Sequence, residues 1–337
     1  MRIGIRWAGA LGCALIALCL GGMPARAQLQ DVTMAMPSVS LSYAMAYIAA
    51  DKGLFEKHGL RVKMVVITGV GATNATIAGS ADFSHGSGAS LTRAVARGQK
   101  LLAIVGVLER TSIEIVLRKS MAEAAHFDPK ASLKDRAQAL RGHTIAIAGV
   151  NSIDQVYLNL IANRGGYHPD AIPIAIMAAE NALAAFTSGQ VDGIAISPPT
   201  PQRLVLDGAA VTIASGLDGD PPDMVPLATT IVMTRPETCE KKRALCEGMG
   251  RAMKEAALIL RDEPGAALAI MVKRLPTVDP KLIAAILPKI REAMPDPPIV
   301  SEKSLENSER ANIEAGLMKP EEKLPSYQGL TTDEFVR

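Results

Sequence analysis

The sequence predicts an α/β protein built from two similar lobes. Short apolar segments typical of strands alternate with helix-length segments over residues 31–108 and again over 143–215. In addition, residues 79–98, GSADFSHGSGASLTRAVARG, align without gaps with residues 189–208, GQVDGIAISPPTPQRLVLDG. Such an internal repeat indicates two copies of one α/β unit. Each copy presents a serine-bearing loop, Ser87 or Ser197, at the end of a strand.

Four strands are predicted in each lobe. They are residues 31–36, 61–68, 81–86 and 101–108 in the first lobe and 143–148, 172–177, 191–196 and 211–215 in the second. Strands that alternate with helices of this length imply right-handed crossovers and a parallel sheet in each lobe. The repeated Arg93 and Arg203 fall inside helices, and we expect them to face water or a partner surface.

Two further extended stretches, residues 112–119 and 225–234, are candidates for paired strands that cross between the lobes. The chain would then leave lobe I, build lobe II and return. The predicted bounds are 28–111 and 233–337 for lobe I and 112–232 for lobe II with the crossing strands. Helices are expected beyond this point, at 239–262, 264–275, 280–294 and 304–317, with Tyr327 and Phe335 holding the tail to a lobe.

Residues 1–27 are predicted to be a cleavable signal peptide. Arg2 and Arg6 precede the uncharged run 7–22, and Ala25-Arg26-Ala27 supplies small residues for cleavage. We therefore expect export to the periplasm. Without its three arginines, the 36 basic residues fall to 33, against 34 acidic ones. This balance gives no electrostatic reason to expect nucleic acid as a partner, and we expect a monomer.

Two cysteines, Cys239 and Cys246, follow the predicted signal peptide. In one unbroken helix they would stand about 10 Å apart by rise alone, which is too far for a disulfide. A helix break near Lys242-Arg243 would let them meet, and an oxidising compartment favours the bond. A disulfide is therefore predicted, with two free thiols as the alternative.

The carboxyl ends of the predicted strands indicate where a ligand would bind. In open parallel sheets, ligands lie beyond these ends, at loops that lead into helix N-termini. The loops are rich in hydroxyls and backbone amides, which favour an anionic head group. The alternative for each serine or asparagine is an ordinary helix cap. The candidate residues are Ser38, Ser40, Ser42, Gly71, Thr73, His85, Ser87, Asn151, Ser152, Asp154, Glu180 and Ser197.

Catalytic and metal motifs are weak in this sequence. Asp82, His85 and Ser87 lie too close along one strand to form a nucleophilic triad, and the G-x-S-x-G elbow is absent. His85 is better interpreted as a loop donor or a packed ring. The sequence has only five histidines and no HxxxH or CxxC motif, so we expect no metal and no cofactor. Asp154 and Glu180 are either ligand acceptors or first-turn helix acids.

Four segments carry a family resemblance that covers essentially the whole mature chain. They are PSVSLSYAMAYIAADKGLFEKHGLRVKM (37–64), ITGVGATNATIAGSADFSHGSGASLTRAVARG (67–98), ALRGHTIAIAGVNSIDQVYLNLIANRGGY (139–167) and ENALAAFTSGQVDGIAISPPTPQRLVLDG (180–208). These segments resemble the substrate-binding proteins of ABC importers, of the nitrate/sulfonate/taurine type that also includes binders of thiamine precursors.

The resemblance implies a type II periplasmic-binding-protein fold, with two doubly wound α/β lobes that close on one ligand about two crossing strands. It adds Leu41, Ala72 and Gly88 to the candidate ligand contacts and supports a helix break between the two cysteines. Where relatives often carry an aromatic residue after the last cleft strand, this chain has Ser197-Pro198-Pro199. The identity of the ligand is therefore open.

The resulting interpretation is a solute-binding protein, not an enzyme, that delivers a small, anionic organic ligand such as a sulfonate or carboxylate to an ABC permease. The alternative is an enzyme on the same fold that acts on a pyrimidine-like substrate. It would need His85 together with Glu180 or Asp154 as its base and electrophile. The iron-binding cysteine cluster of the fungal pyrimidine-synthesising relatives is absent, which disfavours this alternative. A third possibility is a sensory or scaffold protein that binds another protein.

Overall fold

The computed structural model describes residues 28–337, so the predicted signal peptide lies outside the described residues. The strands are β1 Gln30–Met36, β2 Leu60–Val66, β3 Phe83–Gly86, β4 Leu102–Leu108, β5 Glu114–Arg118, β6 Ile145–Ile147, β7 Ile174–Ile176, β8 Gly193–Ile196, β9 Ala210–Ser215 and β10 Thr230–Thr234. The helices are α1 Ala44–Asp51, α2 Leu54–Lys57, α3 Gly71–Ile77, α4 Gly88–Ala96, α5 Lys119–Ala124, α6 Leu133–Gln138, α7 Ile153–Arg164, α8 Ala179–Thr187, α9 Thr200–Leu206, α10 Pro236–Lys241, α11 Arg243–Asp262, α12 Pro264–Arg274, α13 Pro280–Glu292 and α14 Glu302–Glu314.

The strands form two five-stranded sheets with matching topology. The order is β2-β1-β3-β10-β4 in the first sheet, which defines lobe I, and β7-β6-β8-β5-β9 in the second, which defines lobe II. The expectation of purely parallel sheets is wrong, because β10 and β5 run antiparallel to both of their neighbours. Each of these two strands enters its sheet from the other lobe, and its direction is therefore reversed.

The two crossing strands do not pair with each other, contrary to the expectation from the sequence. β5 lies between β8 and β9 in lobe II, whereas β10 lies between β3 and β4 in lobe I. The predicted boundary at 232/233 falls inside β10, and every residue of that strand pairs within the first sheet. Each lobe thus completes its sheet with a strand that follows a passage between the lobes.

The sequence repeat has a structural counterpart at the start of the third strand of each lobe. Asp82 Oδ2 accepts a hydrogen bond of 2.9 Å from the backbone N–H of Thr33. Asp192 Oδ2 accepts one of 2.8 Å from the backbone N–H of Thr144. Each aspartate also donates its own backbone N–H to the carbonyl of the same partner residue, so its side chain adds a second bond between the two segments. The repeated aspartates are therefore explained by sheet assembly.

Helices cover both faces of each sheet, as in doubly wound domains. In lobe I, one core joins β1 and β4 to α1, α11, α12 and α13, and a smaller core joins α4, β4 and β10 to α14. In lobe II, α6 and α7 pack on one face of the sheet and α8 and α9 on the other. Aliphatic residues and methionine dominate these cores, in keeping with an aromatic content of 3%.

The structure contains the predicted disulfide between Cys239 and Cys246, with their Cα atoms 5.5 Å apart. The helical region predicted over 239–262 is divided into α10 and α11 at Lys242, whose backbone leaves the helical conformation. This break brings the two cysteines together, as the sequence analysis required.

The C-terminal segment joins the two lobes. α14 packs against α4 of lobe I and α7 of lobe II. Asn159 Nδ2 of α7 donates to the carbonyl of Ala315 at 3.0 Å, and Arg164 forms an ion pair of 2.8 Å with Glu314. The last residues also pack on lobe I, because Tyr327 Oη donates to Glu309 at 2.6 Å and Phe335 is buried in the main core.

Within residues 28–337, none of the helices combines the length and the apolarity needed to cross a bilayer.

Candidate functional site

A cleft of about 1050 Å³, counted to its open mouth, lies between the two lobes. The loops after β1, β2 and β3 form one wall, and the loops after β6, β7 and β8 form the other. The cleft therefore lies at the carboxyl ends of the parallel strands, as predicted for an open sheet. Thr111-Ser112 before β5 and Thr229-Thr230 at the start of β10 also line it, where the chain passes between the lobes.

Of the residues predicted from the loops, seven line the cleft. Three of them belong to helix starts with defined hydrogen bonds: Ser87 caps α4, Ser152 caps α7, and Asp154 lies in the first turn of α7. The ordinary-cap alternative therefore holds for Ser87 and Ser152, although both also line the cleft. The seven residues are Ser38, Thr73, Ser87, Ser152, Asp154, Glu180 and Ser197.

Ser40, Leu41 and Ser42 do not line the cleft. Ser40 caps the 3-10 turn Leu41–Tyr43, and its hydroxyl donates to the carbonyl of Pro198 on the other lobe at 2.9 Å. Ser42 donates to the Ser112 hydroxyl at 2.7 Å, next to a crossing strand. The side chain of Leu41 is fully buried in the core of lobe I. These residues support the cleft from behind.

Gly71, Ala72, Gly88 and Asn151 are also absent from the cleft lining. A Cβ at Gly88 would stand 2.6 Å from the Ser308 hydroxyl and 2.8 Å from Ala228, so this position requires glycine for packing. At Gly71 a Cβ would meet the Ile67 side chain at 2.9 Å, and Ala72 is fully buried. Asn151 is exposed and has a positive φ of 57°.

His85 is a packed ring and not a loop donor. It is fully buried, its ring centroid lies 4.9 Å from that of Tyr43, and neither ring nitrogen has a partner within residues 28–337. Burial lowers the pKa of His85 to about 3, so the imidazole is neutral at physiological pH. His85 does not line the cleft, although Tyr43 does.

Asp154 is the buried acid of the cleft. It is 5% exposed, and its Oδ2 accepts a hydrogen bond of 3.1 Å from the backbone N–H of Ala148. Burial raises the pKa of the Asp154 carboxyl to about 7, against the lowering effect of the Ala148 N–H. The neighbouring Tyr43 phenol has a raised pKa, chiefly because of burial. Asp154 is thus divided between its charged and neutral forms near neutral pH.

Backbone amides at the start of α8 are the clearest donors to a ligand. Ala178, the residue before this helix, offers no side-chain cap, so the first-turn amides have no partner in the helix. Ala178, Ala179 and Glu180 all line the cleft, and Glu180 is exposed. Free amides and the helix dipole favour an acceptor or an anion at this position.

Three kinds of lining residue were not predicted from the sequence. Ser112, Thr229 and Thr230 were assigned to the crossing strands, and Thr111 to the end of lobe I, but none of them to the site. Tyr43 follows the loop after β1 by one helical turn. The apolar part of the lining comes from branched side chains that look like ordinary core residues in the sequence: Val39, Val66, Val70, Ile153 and Ile196. Of these, only the hydroxyl residues near the starts of both crossing strands could have been recognised in the sequence as candidates for the cleft.

Arg93 lies where the two lobes meet, and the expectation that it faces water is wrong. It is 5% exposed and donates to the Asn312 side chain of α14 and to the carbonyl of Asn151 in lobe II. Its repeat partner Arg203 remains at the surface, 3.7 Å from Asp207. The two arginines of the repeat therefore lie in different environments, one buried between the lobes and one at the surface.

Within the described part of the chain, histidines, cysteines and acids do not gather in groups that would hold a metal ion.

The family comparison matches residues 41–267 to the model of the NMT1/THI5-like proteins. This segment contains the cleft loops after β2, β3, β6, β7 and β8 and both crossing strands, whereas the loop after β1 precedes it. The chain belongs to the NMT1/THI5-like family. Membership agrees with the resemblance to substrate-binding proteins of ABC importers that the sequence analysis described. None of the curated protein sequences matches the chain.

Solved structures of this fold lie close to the chain in geometry. A protein from Bordetella bronchiseptica RB50 is 19% identical, with a TM-score of 0.76 over 91% of this chain and 96% of that one. The alkanesulfonate-binding protein SsuA from Xanthomonas axonopodis pv. citri, bound to MOPS, is 19% identical, with a TM-score of 0.68 over 88% and 97%. The periplasmic nitrate-binding protein NrtA from Synechocystis PCC 6803 is 14% identical, with a TM-score of 0.63 over 77% and 70%. The periplasmic-binding-protein fold is thereby confirmed.

Proposed function

We propose that the protein is an extracytoplasmic solute-binding protein that captures a small organic ligand with an anionic head group between its two lobes. The observation that supports this most directly is the cleft itself, because equivalent loops of both lobes and both crossing strands line it. An enzymatic role gains no such support, since His85 does not line the cleft.

The anionic head group is supported by two arguments. The first turn of α8 lies in the lining without a side-chain cap, and hydroxyl-bearing residues from both lobes line the same cleft. Backbone amides at a helix start bind anions without a basic side chain. In addition, the SsuA and NrtA structures are described as those of an alkanesulfonate-binding and a nitrate-binding protein.

The proposed mechanism is a ligand-driven shift toward the closed arrangement of the lobes. Ser40 of lobe I already contacts the carbonyl of Pro198 in lobe II, and Arg93 contacts that of Asn151. A ligand that bonds both walls adds contacts that exist only when the lobes are together. Its binding free energy therefore stabilises the closed state, with the segments that lead into β5 and β10 as the passages that flex.

A thermal-shift screen of sulfonates, carboxylates and nitrate tests the proposed function. We expect at least one sulfonate or carboxylate to raise the melting temperature in a concentration-dependent manner. Small-angle scattering with that compound should then show a smaller radius of gyration. Failure of all these anions to bind would refute the proposed ligand class, and binding without compaction would refute lobe closure.

Ser87 and Ser197 provide a matched pair for locating the ligand. Ser197 lines the cleft, and its hydroxyl has no hydrogen-bond partner within residues 28–337. Ser197→Ala should therefore weaken ligand binding and change the free energy of unfolding by less than about 0.5 kcal/mol. Ser87 also forms a capping box with Ser90, so Ser87→Ala should in addition cost about 1 kcal/mol of stability. Unchanged affinity in Ser197→Ala would place the ligand elsewhere.

We further propose a periplasmic location and delivery of the ligand to an ABC permease. Fractionation of cells that express the full chain should recover the protein with the periplasmic contents. Mass spectrometry should show a mature N-terminus close to residue 28. Recovery of the uncleaved chain in the cytoplasm would contradict the location.

A further inference from the structure

The loop 148–154, which runs from β6 into the first turn of α7, supplies part of the lobe II wall of the cleft. Bonds within the loop shape it: Asp154 Oδ2 accepts from the N–H of Ala148 at 3.1 Å, and the Ser152 hydroxyl donates to the carbonyl of Gly149 at 2.6 Å. Within residues 28–337, one hydrogen bond ties this loop to lobe I, from Arg93 to the carbonyl of Asn151. The lining residues of the loop are Ala148, Ser152, Ile153 and Asp154.

Asn151 has a backbone conformation that its surroundings must maintain. Its φ of 57° lies in the left-handed region, which His126 alone shares among the non-glycine residues of 28–337. Such a conformation costs free energy and persists where neighbouring groups hold it. Two backbone bonds hold Asn151: its N–H donates to Gln155 Oε1 at 2.6 Å, and its carbonyl accepts from Arg93. The second bond comes from the opposite lobe.

The guanidinium of Arg93 is held in place from the lobe I side. It also donates to the Asn312 side-chain oxygen on α14, and Asn312 Nδ2 donates to the carbonyl of Ala89 at 2.9 Å and to Thr92 Oγ1 at 3.1 Å, both on α4. Burial, with a smaller effect of Arg97, lowers the pKa of Arg93 to about 10, so the group is charged at neutral pH. Its charge is therefore directed at the Asn151 carbonyl by contacts that lobe II does not supply.

The peptide group between Asn151 and Ser152 transmits this contact toward the cleft. The bond is trans, so the Asn151 carbonyl and the Ser152 N–H point in opposite directions. With the carbonyl bonded to Arg93, the N–H points away from Arg93, and it has no acceptor within residues 28–337. A guanidinium on the carbonyl also polarises the peptide group and strengthens its N–H as a donor. Because Ser152 lines the cleft, this donor is available to a ligand.

We propose that Arg93 is a positioning residue for ligand binding. From lobe I it holds the carbonyl of Asn151, so that the loop 148–154 presents the Ser152 N–H to the anionic head group of the ligand. Arg93 itself does not line the cleft. The inference rests on the proposed function and adds to it a residue that acts through the loop. Since the bond joins the two lobes, closure and the arrangement of the loop are coupled.

The first test needs no ligand. Arg93→Met keeps most of the side-chain length and removes the charge and the donors. Hydrogen exchange followed by mass spectrometry should show the amides of 148–155 exchanging about tenfold faster than in the wild type, because the loop loses its bond to lobe I. Asn159→Ala is the control, since it removes a different buried bond, of 3.0 Å, between α7 and the carbonyl of Ala315. It should leave exchange over 148–155 within about twofold of the wild type.

The second test measures affinity by isothermal titration calorimetry with propanesulfonate and with butanoate. Arg93→Met should weaken the binding of these anions about tenfold. Arg93→Lys keeps the charge and a donor for the Asn151 carbonyl, and should stay within about threefold of the wild type. Asn159→Ala should change affinity by less than about twofold, although it also removes a bond between α7 and the C-terminal segment. A merely structural role for Arg93 would not separate these variants.

The possible outcomes are distinguishable. Wild-type exchange over 148–155 in Arg93→Met overturns the positioning role. Faster exchange with unchanged affinity for both probes overturns the link to ligand binding and leaves the proposed function intact. Failure of both probes to bind the wild type contradicts the proposed ligand class, whereas the exchange rates still decide whether Arg93 positions the loop, because they are measured without a ligand.

Discussion

The Ser40 hydroxyl donates a hydrogen bond of 2.9 Å to the carbonyl of Pro198, which lies on the opposite lobe. Ser40 follows the first strand of lobe I, and Pro198 follows the third strand of lobe II. The same hydroxyl accepts from the backbone N–H of Ser42 and so caps the turn behind the cleft. One side chain thus couples local helix geometry to the contact between the lobes.

Ser40→Ala should weaken both the fold and lobe closure. Loss of the cap and of the interlobe bond should cost about 1–2 kcal/mol of unfolding free energy, measured by urea denaturation. Scattering of the ligand-free variant should show a larger radius of gyration, since a contact specific to the closed arrangement is removed. Ser132→Ala is the control, because Ser132 caps α6 without an interlobe bond. An unchanged radius in Ser40→Ala would show that the Pro198 contact does not hold the lobes together.

Arg93 and Arg203 are repeat partners with very different expected contributions. Arg93→Ala should destabilise the protein by about 1–3 kcal/mol, because it leaves the buried side-chain oxygen of Asn312 without its donor and removes a bond between the lobes. Arg203→Ala removes only a surface pair with Asp207 and should change stability by less than about 0.5 kcal/mol. Denaturation curves of both variants check the difference. Similar losses in the two would contradict the buried role of Arg93.

Asp82 and Asp192 should be equivalent in their effects on stability. Each accepts from a backbone N–H in the segment predicted as its lobe's first strand, so Ala at either position leaves that donor without a partner. A loss of about 1–3 kcal/mol is expected for each, with additive effects in the double variant because the sites lie in different sheets. Chemical denaturation measures all three. A loss of stability in only one of the two single variants would show that the two aspartates match in sequence but do not contribute equally to stability.

His85 should make the protein sensitive to acid. Burial lowers the pKa of His85 to about 3, against about 6.5 in the unfolded chain. Above pH 6.5 His85 is neutral in both the folded and the unfolded chain, and its titration does not lower the free energy of unfolding. Below that pH the unfolded chain binds a proton that the folded protein excludes, so stability falls by up to about 1.4 kcal/mol per pH unit.

The raised pKa of Asp154 acts in the opposite sense, because between pH 4 and pH 7 the folded protein holds a proton that the unfolded chain has lost. The effect of His85 is therefore measured in the Asp154→Asn background, where the titration of Asp154 no longer contributes. There, His85→Phe should flatten the fall in unfolding free energy between pH 6.5 and pH 4, and His168→Phe at the surface is the control. An equally steep fall with and without His85 would refute this source of acid sensitivity.

Much of the fold could be predicted from the sequence because its signals are local. The alternation of strands and helices and the repeat at 79–98 and 189–208 are read from neighbouring residues. The helix predicted over 264–275 is observed as α12, Pro264–Arg274. The break between Cys239 and Cys246 was inferred from the geometry of a helix and the reach of a disulfide.

The parts that could not be predicted depend on contacts between segments far apart in the chain. The sequence alone places hydroxyls and acids at strand ends, because strand direction and helix start fix where a loop must lie, and so it indicated Ser87, Ser152, Asp154 and Ser197 for the cleft. Only the tertiary structure decided that β5 and β10 enter opposite sheets antiparallel to their neighbours. It also decided which lobe covers a side chain. For that reason His85 is sealed in lobe I, Arg93 is buried between the lobes, and Asp154 remains an acid without a counter-charge beside the cleft.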